Sequence, residues 1–187
     1  MKVWIIRHGE SEANAQGLWT GWHDAPLTKT GEEDARLAAT YLSGVRFDRV
    51  YTSDLIRARA TAKIALPSYE AVPCDKLREI DLGSLAGKPK VATGGMKNVA
   101  LTDGYAEFGG ESRADFATRV RTFLASLEEL NVENVALFSH AGYLRTAIDV
   151  VLGFTVPRKN LVCNNCAVLV LEYDEGVWRV FSLNNIK

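Results

Sequence analysis

The chain alternates short runs of apolar, often β-branched residues with longer stretches in which apolar side chains recur at helical spacing. The short runs predict strands and the amphipathic stretches predict helices. Strands are expected at residues 2–6, 47–52, 70–73, 134–139, 167–173 and 177–183. Helices are expected at residues 30–42, 53–65, 111–130 and 142–152.

Local signals mark the ends of several of these elements. The sequence Thr30-Gly31-Glu32-Glu33 fits a capping box, in which Thr30 caps the helix and Glu33 reaches back to the cap. Pro67 should end the second helix, and Asp174-Glu175-Gly176 is a turn signal between the last two strands. Residues 10–22 are expected to form a loop, and residues 77–87 a loop or a single helical turn.

Strands that alternate with helices predict a mostly parallel sheet with helices on both faces. The expected fold class is therefore α/β, a three-layer α/β/α sandwich, with the terminal hairpin adding an antiparallel edge. The chain of 187 residues suits one sizeable domain. Residues 88–110 have poor periodicity and frequent glycine, so we expect a lid-like insertion there in a single domain that spans residues 1–187.

Composition and charge narrow the class of function. Hydrophobic residues make up 47% of the chain and charged residues 24%, which is ordinary for a soluble globular protein. A net charge of -1 argues against a nucleic-acid-binding protein, which is usually basic. No apolar run approaches the ~20 residues of a membrane span, and no secretory signal precedes the first strand. We expect a cytoplasmic protein that binds neither nucleic acid nor membrane.

Two of the three cysteines, Cys163 and Cys166, have the CxxC spacing. A metal or redox site is one interpretation of that spacing. The chain has no second CxxC and no histidine near this one, and three cysteines make no disulfide framework. The interpretation that we favour is two small apolar residues.

Two predicted strands end in similar residues. The first ends in Arg7, His8 and Gly9, and the fourth ends in His140, followed by a small residue and Gly142. Ligands of open α/β sheets bind beyond the carboxyl ends of the strands. A neutral imidazole nucleophile beside a guanidinium that forks onto phosphate oxygens suits phosphoryl transfer. For Arg7 and His8 taken alone, a solvated strand end remains the alternative.

The helix after the second strand adds a further cation to this edge. Arg57 lies about one turn into that helix and is expected to point towards the sheet edge. Arg59 is expected at the surface, because residues two apart do not share a helix face.

Together these features resemble the histidine phosphatase superfamily, also called the phosphoglycerate mutase-like family. Six motifs carry the resemblance and run in the family's order over most of the chain. They are Arg7-His8-Gly9-Glu10-Ser11 with Asn14, Asp24-Ala25-Pro26-Leu27-Thr28 with Gly31, Ser53-Asp54-Leu55 with Arg57-Ala58 and Thr61-Ala62, Leu77-Arg78-Glu79 with Gly83 and Gly87, Gly109-Gly110-Glu111-Ser112, and Ser139-His140-Ala141-Gly142.

The resemblance implies a role for each matching residue. His8 matches the nucleophile that becomes phosphohistidine, and Glu79 matches the general acid that protonates the leaving oxygen. Arg7, Arg57 and His140 match the groups that hold the phosphoryl oxygens. Substrate contacts are implied for Arg7, Asn14, Gly21, Arg57, His140 and Ala141. No cofactor and no metal are implied, because arginines supply the positive charge that phosphoryl transfer needs.

The implied activity is a metal-independent phosphatase that hydrolyses small phosphomonoesters. Residues 20–28 also look like the cofactor-dependent phosphoglycerate mutases, so a mutase is the alternative. Those mutases usually carry an Arg where this chain has Leu18, a Tyr where it has Leu82, and two adjacent arginines in the insertion, where residues 88–110 contain none. These departures favour hydrolysis.

Further alternatives stay open, one for the function of the protein and others at single residues. A non-catalytic protein that binds phosphorylated ligands is a second alternative function. Asp81 is the alternative to Glu79 as the acid. Trp19 and Trp22 either stack on a sugar or base or pack their loop against the body of the protein.

The lysines of the insertion are the remaining open question about binding. One of Lys88, Lys90 and Lys97 either meets a second anionic group on the substrate or belongs to a solvated flap. Nothing in the sequence marks an interface, so a monomer or a homodimer is expected.

Overall fold

A six-stranded mixed sheet forms the centre of the computed structural model, which describes residues 1–91 and 104–186. The strands are β1 (Lys2–Arg7), β2 (Arg49–Thr52), β3 (Val72–Pro73), β4 (Asn134–Ser139), β5 (Val168–Asp174) and β6 (Val177–Asn184). Their order across the sheet is β3-β2-β4-β1-β5-β6. The first four strands in this order are parallel to one another, while β5 runs antiparallel to both β1 and β6. The predicted parallel sheet with an antiparallel edge is confirmed.

Five α-helices connect and cover these strands within the described ranges. They are α1 (Glu12–Ala15), α2 (Lys29–Leu42), α3 (Ile56–Ala65), α4 (Arg113–Leu127) and α5 (Ala141–Leu152). Short 3-10 turns occur at Asp75–Leu77, Gly83–Leu85, Ala106–Phe108 and Arg158–Asn160. None of the described helices is long and apolar enough to cross a membrane.

The helices form one layer on each face of the sheet, because successive strand residues point to opposite sides. In β1, Val3 and Ile5 pack in a core with α4 and α5, whereas Ile6 packs in a second core with α2 and α3. The central strand β4 divides in the same way, with Leu137 in the first core and Phe138 in the second. The α/β/α sandwich predicted from the alternation is confirmed.

The structure corrects three local predictions. Residues 10–22 contain the short helix α1, whose N-cap Ser11 accepts a hydrogen bond from the Asn14 amide. The N-cap of α2 is Thr28 rather than Thr30, because the Thr28 hydroxyl accepts from Gly31 N while it donates to the Glu10 carboxylate. Helix α3 begins at Ile56, whereas the sequence predicted a helix that begins at Ser53.

One close backbone approach fixes the start of α2 beneath the end of β1. A Cβ on Gly9 would overlap the backbone of Gly31, and a Cβ on Gly31 would overlap the backbone of Glu10. Only glycine at both positions lets the two segments meet. This approach holds the loop that follows His8.

The predicted lid-like insertion falls largely outside the described residues, since residues 92–103 are not described. Its described ends contribute Lys90, which lies in an exposed segment, and Tyr105, which is half-buried.

Candidate active site

A cavity of about 450 Å³ opens where β1 and β4 end. Because these two strands are parallel neighbours, Arg7 pairs with Ser139, and the residues that follow both strands meet at one edge. The sequence-predicted residues that line the cavity are Arg7, His8, Asn14, Gly21, Glu79 and Ala141. Further lining residues include Trp19, Lys90, Tyr105, Arg113, Arg145, Asp149 and Arg158.

His8 is buried, with 3% of its surface exposed, and it is held as one tautomer. Its Nδ1 lies 2.6 Å from the carbonyl oxygen of Gly9, which can only accept, so Nδ1 carries the proton. Nε2 then keeps its lone pair and accepts from Arg57 Nε at 3.3 Å. Burial, followed by the charges of Arg57 and Arg7, holds the pKa of His8 well below its usual range. A buried, neutral imidazole of this kind is a nitrogen nucleophile.

Arg57 is fully buried next to His8, whereas Arg59 is exposed, as the helix spacing predicted. Arg57 Nη1 donates to His23 O at 2.9 Å, and Nη2 donates to Gly21 O at 2.7 Å. Burial lowers the pKa of Arg57 to about 10, so the guanidinium remains charged near neutral pH. The guanidinium therefore fixes the loop that carries Gly21 and directs its Nε–H at the His8 ring.

His140 lies behind His8, with the two ring centroids 5.1 Å apart. Its Nε2 is 2.9 Å from the hydroxyl of Ser53, the residue directly after β2, and its buried Nδ1 has no hydrogen-bond partner among the described residues. Burial and then the charge of Arg57 hold the pKa of His140 well below its usual range. The ring is neutral in this structure, so the cations beside His8 are the two arginines.

Arg7 places its guanidinium on the cavity wall. Its Nη1 donates to Cys163 O at 2.6 Å, while its buried Nε has no hydrogen-bond partner among the described residues. Burial lowers the pKa of Arg7, and the Glu79 carboxylate opposes that shift. The charges of Arg7 and Glu79 therefore act on one another at this wall.

Glu79 reaches the cavity from the segment between two 3-10 turns. Its Oε2 accepts the backbone N–H of Gly142 at 3.0 Å, and its Oε1 accepts the N–H of Ile80 at 3.1 Å. Asp81, the alternative acid, instead accepts from Gly83 N at 2.9 Å and closes a turn. Of these two carboxylates, the one on Glu79 lines the cavity.

The remaining predicted substrate contacts lie at the cavity, with the exception of two buried groups. Asn14, Gly21 and Ala141 line it, whereas Arg57 and His140 do not contribute to the described lining and lie behind His8. The structure therefore brings all the predicted residues into one cluster, with Arg57 and His140 one layer deeper than Arg7.

The two tryptophans of the loop have different surroundings. Trp22 packs its loop against the body: its Nε1 donates to Glu79 O at 2.8 Å, and the Arg78 guanidinium lies 4.7 Å from its ring centroid. Trp19 lines the cavity with Tyr105, their ring centroids 6.4 Å apart. Only Trp19 is placed to meet a ligand.

Sequence reasoning did not find the outer wall of the cavity. Arg145 and Asp149 follow Ala141 at four-residue steps on α5, so helical spacing would have placed them on the same face. Arg158 comes from the connection after α5 and pairs with Asp149 at 2.7 Å. No periodic signal marks that connection.

Cys163 and Cys166 belong to different cores on opposite faces of the sheet. Both are buried thiols, and burial raises the pKa of Cys163. Within the described parts of the chain, no group of three or more His, Cys, Asp or Glu side chains is arranged to hold a metal ion. The two cysteines act as the small apolar residues that the sequence favoured.

Comparison with known proteins identifies the family. A sequence profile of the histidine phosphatase superfamily (branch 1) matches residues 3–186. The chain belongs to this superfamily. The predicted family and the phosphoglycerate mutase-like fold class are thereby confirmed.

Relatives within the superfamily include phosphatases and mutases. An adenosylcobalamin/α-ribazole phosphatase of Escherichia coli K12 is 30% identical over 98% of this chain and 91% of its own length. A 2,3-bisphosphoglycerate-dependent phosphoglycerate mutase of Brucella ovis is 32% identical over 96% of this chain and 91% of its own length. A phosphoserine phosphatase of Entamoeba histolytica, solved with 3-phosphoglyceric acid, has 26% identity and a TM-score of 0.85, covering 98% of this chain and 96% of its own.

Proposed function

We propose that this protein is a phosphatase that hydrolyses small phosphomonoesters through a phosphohistidine on His8. The observation that carries the proposal is the hydrogen bond from His8 Nδ1 to Gly9 O. It leaves Nε2 as the nucleophilic nitrogen beside a cavity that Arg7 and Glu79 also line. Family membership supports the same chemistry.

In the first step His8 Nε2 attacks phosphorus, and the bond between phosphorus and the ester oxygen breaks. As Nε2 attacks, it gives up the hydrogen bond from Arg57 Nε, which turns to an equatorial oxygen. Arg7 and Arg57 then stabilise the charge on these oxygens, which is the principal catalytic contribution in phosphoryl transfer. Glu79, protonated, gives its proton to the leaving oxygen, because an alkoxide leaves poorly without one. The products are an alcohol and phosphohistidine.

In the second step water attacks the phosphohistidine. The Glu79 carboxylate takes a proton from the water as the P–N bond breaks, so the acid is regenerated and inorganic phosphate leaves. A bound phosphoryl dianion favours the charged form of a neighbouring imidazole. His140 therefore becomes a better hydrogen-bond donor when substrate is present.

Two positions bear on the choice between hydrolysis and mutase activity. Leu82, where the mutases usually carry Tyr, lines the cavity and offers no hydroxyl. Leu18, where they usually carry Arg, forms an isolated bridge with Pro89. Both positions lack the polar group that would hold a phosphoglycerate between two transfers, which supports hydrolysis.

The test is a phosphate-release screen over a panel of phosphomonoesters, run for the wild type and for His8→Ala in the presence of a strong chelator. The panel includes 3-phosphoglycerate together with 2,3-bisphosphoglycerate. We expect release by the wild type and a loss of several orders of magnitude in His8→Ala. Quenching a reaction with labelled substrate in alkaline detergent should trap a base-stable, acid-labile phosphoenzyme in the wild type only.

Other outcomes separate the alternatives. Isomerisation of phosphoglycerate without net release would make the protein a mutase. Phosphate release that survives His8→Ala would overturn the phosphohistidine. Binding of phosphate without either activity would leave a phospho-ligand binding protein.

We also propose a single domain, with residues 88–110 as an insertion, that works in the cytoplasm as a monomer or homodimer. The match over residues 3–186 supports one domain, and three cysteines that form no disulfide within the described residues suit a reducing compartment. Sedimentation equilibrium would give the oligomeric state, and a single cooperative unfolding transition would support one domain.

A further inference from the structure

Arg119 projects from α4 towards the segment that carries Glu79, although it does not belong to the described cavity lining. Its side chain is only 12% exposed. A guanidinium has five N–H donors in a fixed plane, and in this structure all five donate hydrogen bonds. These five hydrogen bonds hold the Arg119 side chain in a single conformation.

Three of these hydrogen bonds hold the backbone that leads to the acid and the carbonyl of the acid itself. Nη1 donates to Lys76 O and to Arg78 O, each at 2.9 Å, and Nη2 donates to Glu79 O at 3.0 Å. The residues concerned form no regular ladder of their own beyond a single 3-10 turn. Arg119 therefore supplies backbone hydrogen bonds that a helix or strand would otherwise provide along this segment.

The other two hydrogen bonds form a bidentate pair with Glu111. Arg119 Nε meets Oε1 at 2.8 Å, and Nη2 meets Oε2 at 2.7 Å. Glu111 in turn accepts from Asp81 N through Oε2 at 2.8 Å, and its own N–H donates to Asp81 O at 3.0 Å. The pair thus holds the segment before Glu79 through Arg119 and the segment after it through Glu111.

We propose that Arg119, paired with Glu111, is a positioning residue for the general acid Glu79. This inference rests on the proposed function, because it gives Arg119 a role only through the proton that Glu79 transfers. The Glu79 carboxylate is held at Gly142 N on the cavity wall, and a misplacement of a catalytic group by about 1 Å can cost about 10²-fold in rate. The role is geometric, since Glu111 neutralises the Arg119 charge.

A lysine cannot perform this function. Its ammonium is a point charge with three donors and lacks the planar fork that binds a carboxylate and three carbonyls at once. Arg119→Lys therefore keeps the charge and loses the geometry. Glu111→Gln provides a second variant, because it weakens the bidentate pair while retaining a side-chain oxygen for Asp81 N.

The experiment compares two classes of substrate. An alkyl phosphomonoester needs protonation of its leaving oxygen, whereas p-nitrophenyl phosphate has a leaving group that departs without it. We expect Arg119→Lys and Glu111→Gln to lower kcat/KM, which reports the steps up to departure of the leaving group, on the alkyl substrate by about tenfold or more, part of the contribution of a general acid. On p-nitrophenyl phosphate we expect a change of at most about threefold.

A double-mutant cycle with Glu79→Gln decides whether Arg119 acts through the acid. In the Glu79→Gln background, Arg119→Lys should have little further effect on the alkyl substrate, because the group that it positions is gone. The matched control is Arg121→Lys, the same change at an exposed position two residues along α4, which should leave both activities unchanged.

The outcomes are distinguishable. If Arg119→Lys lowers kcat/KM on both substrates equally, or by the same factor with and without Glu79, Arg119 supports the fold and the inference is wrong. If Glu79→Gln itself shows no dependence on the leaving group, the proposed role of Glu79 fails first. If Arg119→Lys does not fold, the same comparison on Glu111→Gln decides.

Discussion

The Glu79 carboxylate occupies the space that a side chain at Gly142 would fill. Glu79 Oε2 accepts the Gly142 N–H at 3.0 Å, and a Cβ on Gly142 would overlap the carboxylate. The acid proposed for the reaction is thus seated on the first turn of α5, directly after His140. The absence of a side chain at this position is a requirement of the site.

Gly142→Ala should displace Glu79 from this seat. We expect kcat on an alkyl phosphomonoester to fall by about 10²-fold, because the acid no longer reaches the leaving oxygen. Steady-state kinetics on purified protein would measure the loss. Gly44→Ala is the control, since a Cβ there meets open space. Equal activity of the two variants would show that the Glu79 seat is not needed.

Arg57→Lys should impair catalysis far more than the same substitution at the nearby Arg59. The lysine cannot donate at once to His8 Nε2, His23 O and Gly21 O, so buried acceptors lose their partners. We expect kcat/KM to fall by about 10²-fold or more, as for the loss of one preorganised donor. Arg59→Lys makes the same change at an exposed position of α3 and should be silent. Similar losses in both variants would contradict a specific role for Arg57.

Stability should fall as the pH falls below the usual range of histidine. His8 and His140 both have a pKa held well below 6.5 in the folded protein, chiefly by burial. As the pH falls below 6.5, both histidines become protonated in the unfolded chain while they stay neutral in the folded protein. The free energy of unfolding therefore decreases as the pH falls. The slope is up to about 1.4 kcal/mol per pH unit for each histidine.

Urea unfolding between about pH 7.5 and pH 5.5 would measure this slope. His140→Asn removes one of the two groups and should reduce the slope by about half. A free energy of unfolding that stays constant over this range would contradict the burial of neutral histidines at the site.

Lys90→Ala tests whether the cavity accepts a second anionic group. Lys90 lines the cavity, where partial desolvation and then the charge of Arg7 lower its pKa. If it meets a carboxylate or a second phosphate, kcat/KM should fall by about tenfold for substrates that carry such a group and stay constant for those that do not. Lys88→Ala is the control, since Lys88 is exposed and absent from the described lining. Unchanged kcat/KM on every accepted substrate would remove the hypothesis.

The sequence by itself determined the layers of this protein and the inner part of its site. Strand alternation placed Val3 and Ile5 on one face of β1, and Arg7 and His8 at the edge where parallel strands end. The helical period separated buried Arg57 from exposed Arg59. These features follow from local periodicity, which is a property of the sequence and does not depend on which segments pack together.

The tertiary structure decided the features that depend on which segments meet. Thr28 and Thr30 are both acceptable caps, and the choice of Thr28 followed from its contact with Glu10, a residue outside the helix. The outer cavity wall includes Arg158, from a connection with no period of its own. The five acceptor atoms of Arg119 lie in two separate segments, residues 76–79 and Glu111. Long-range hydrogen bonds of this kind depend on packing, and no sequence spacing encodes them.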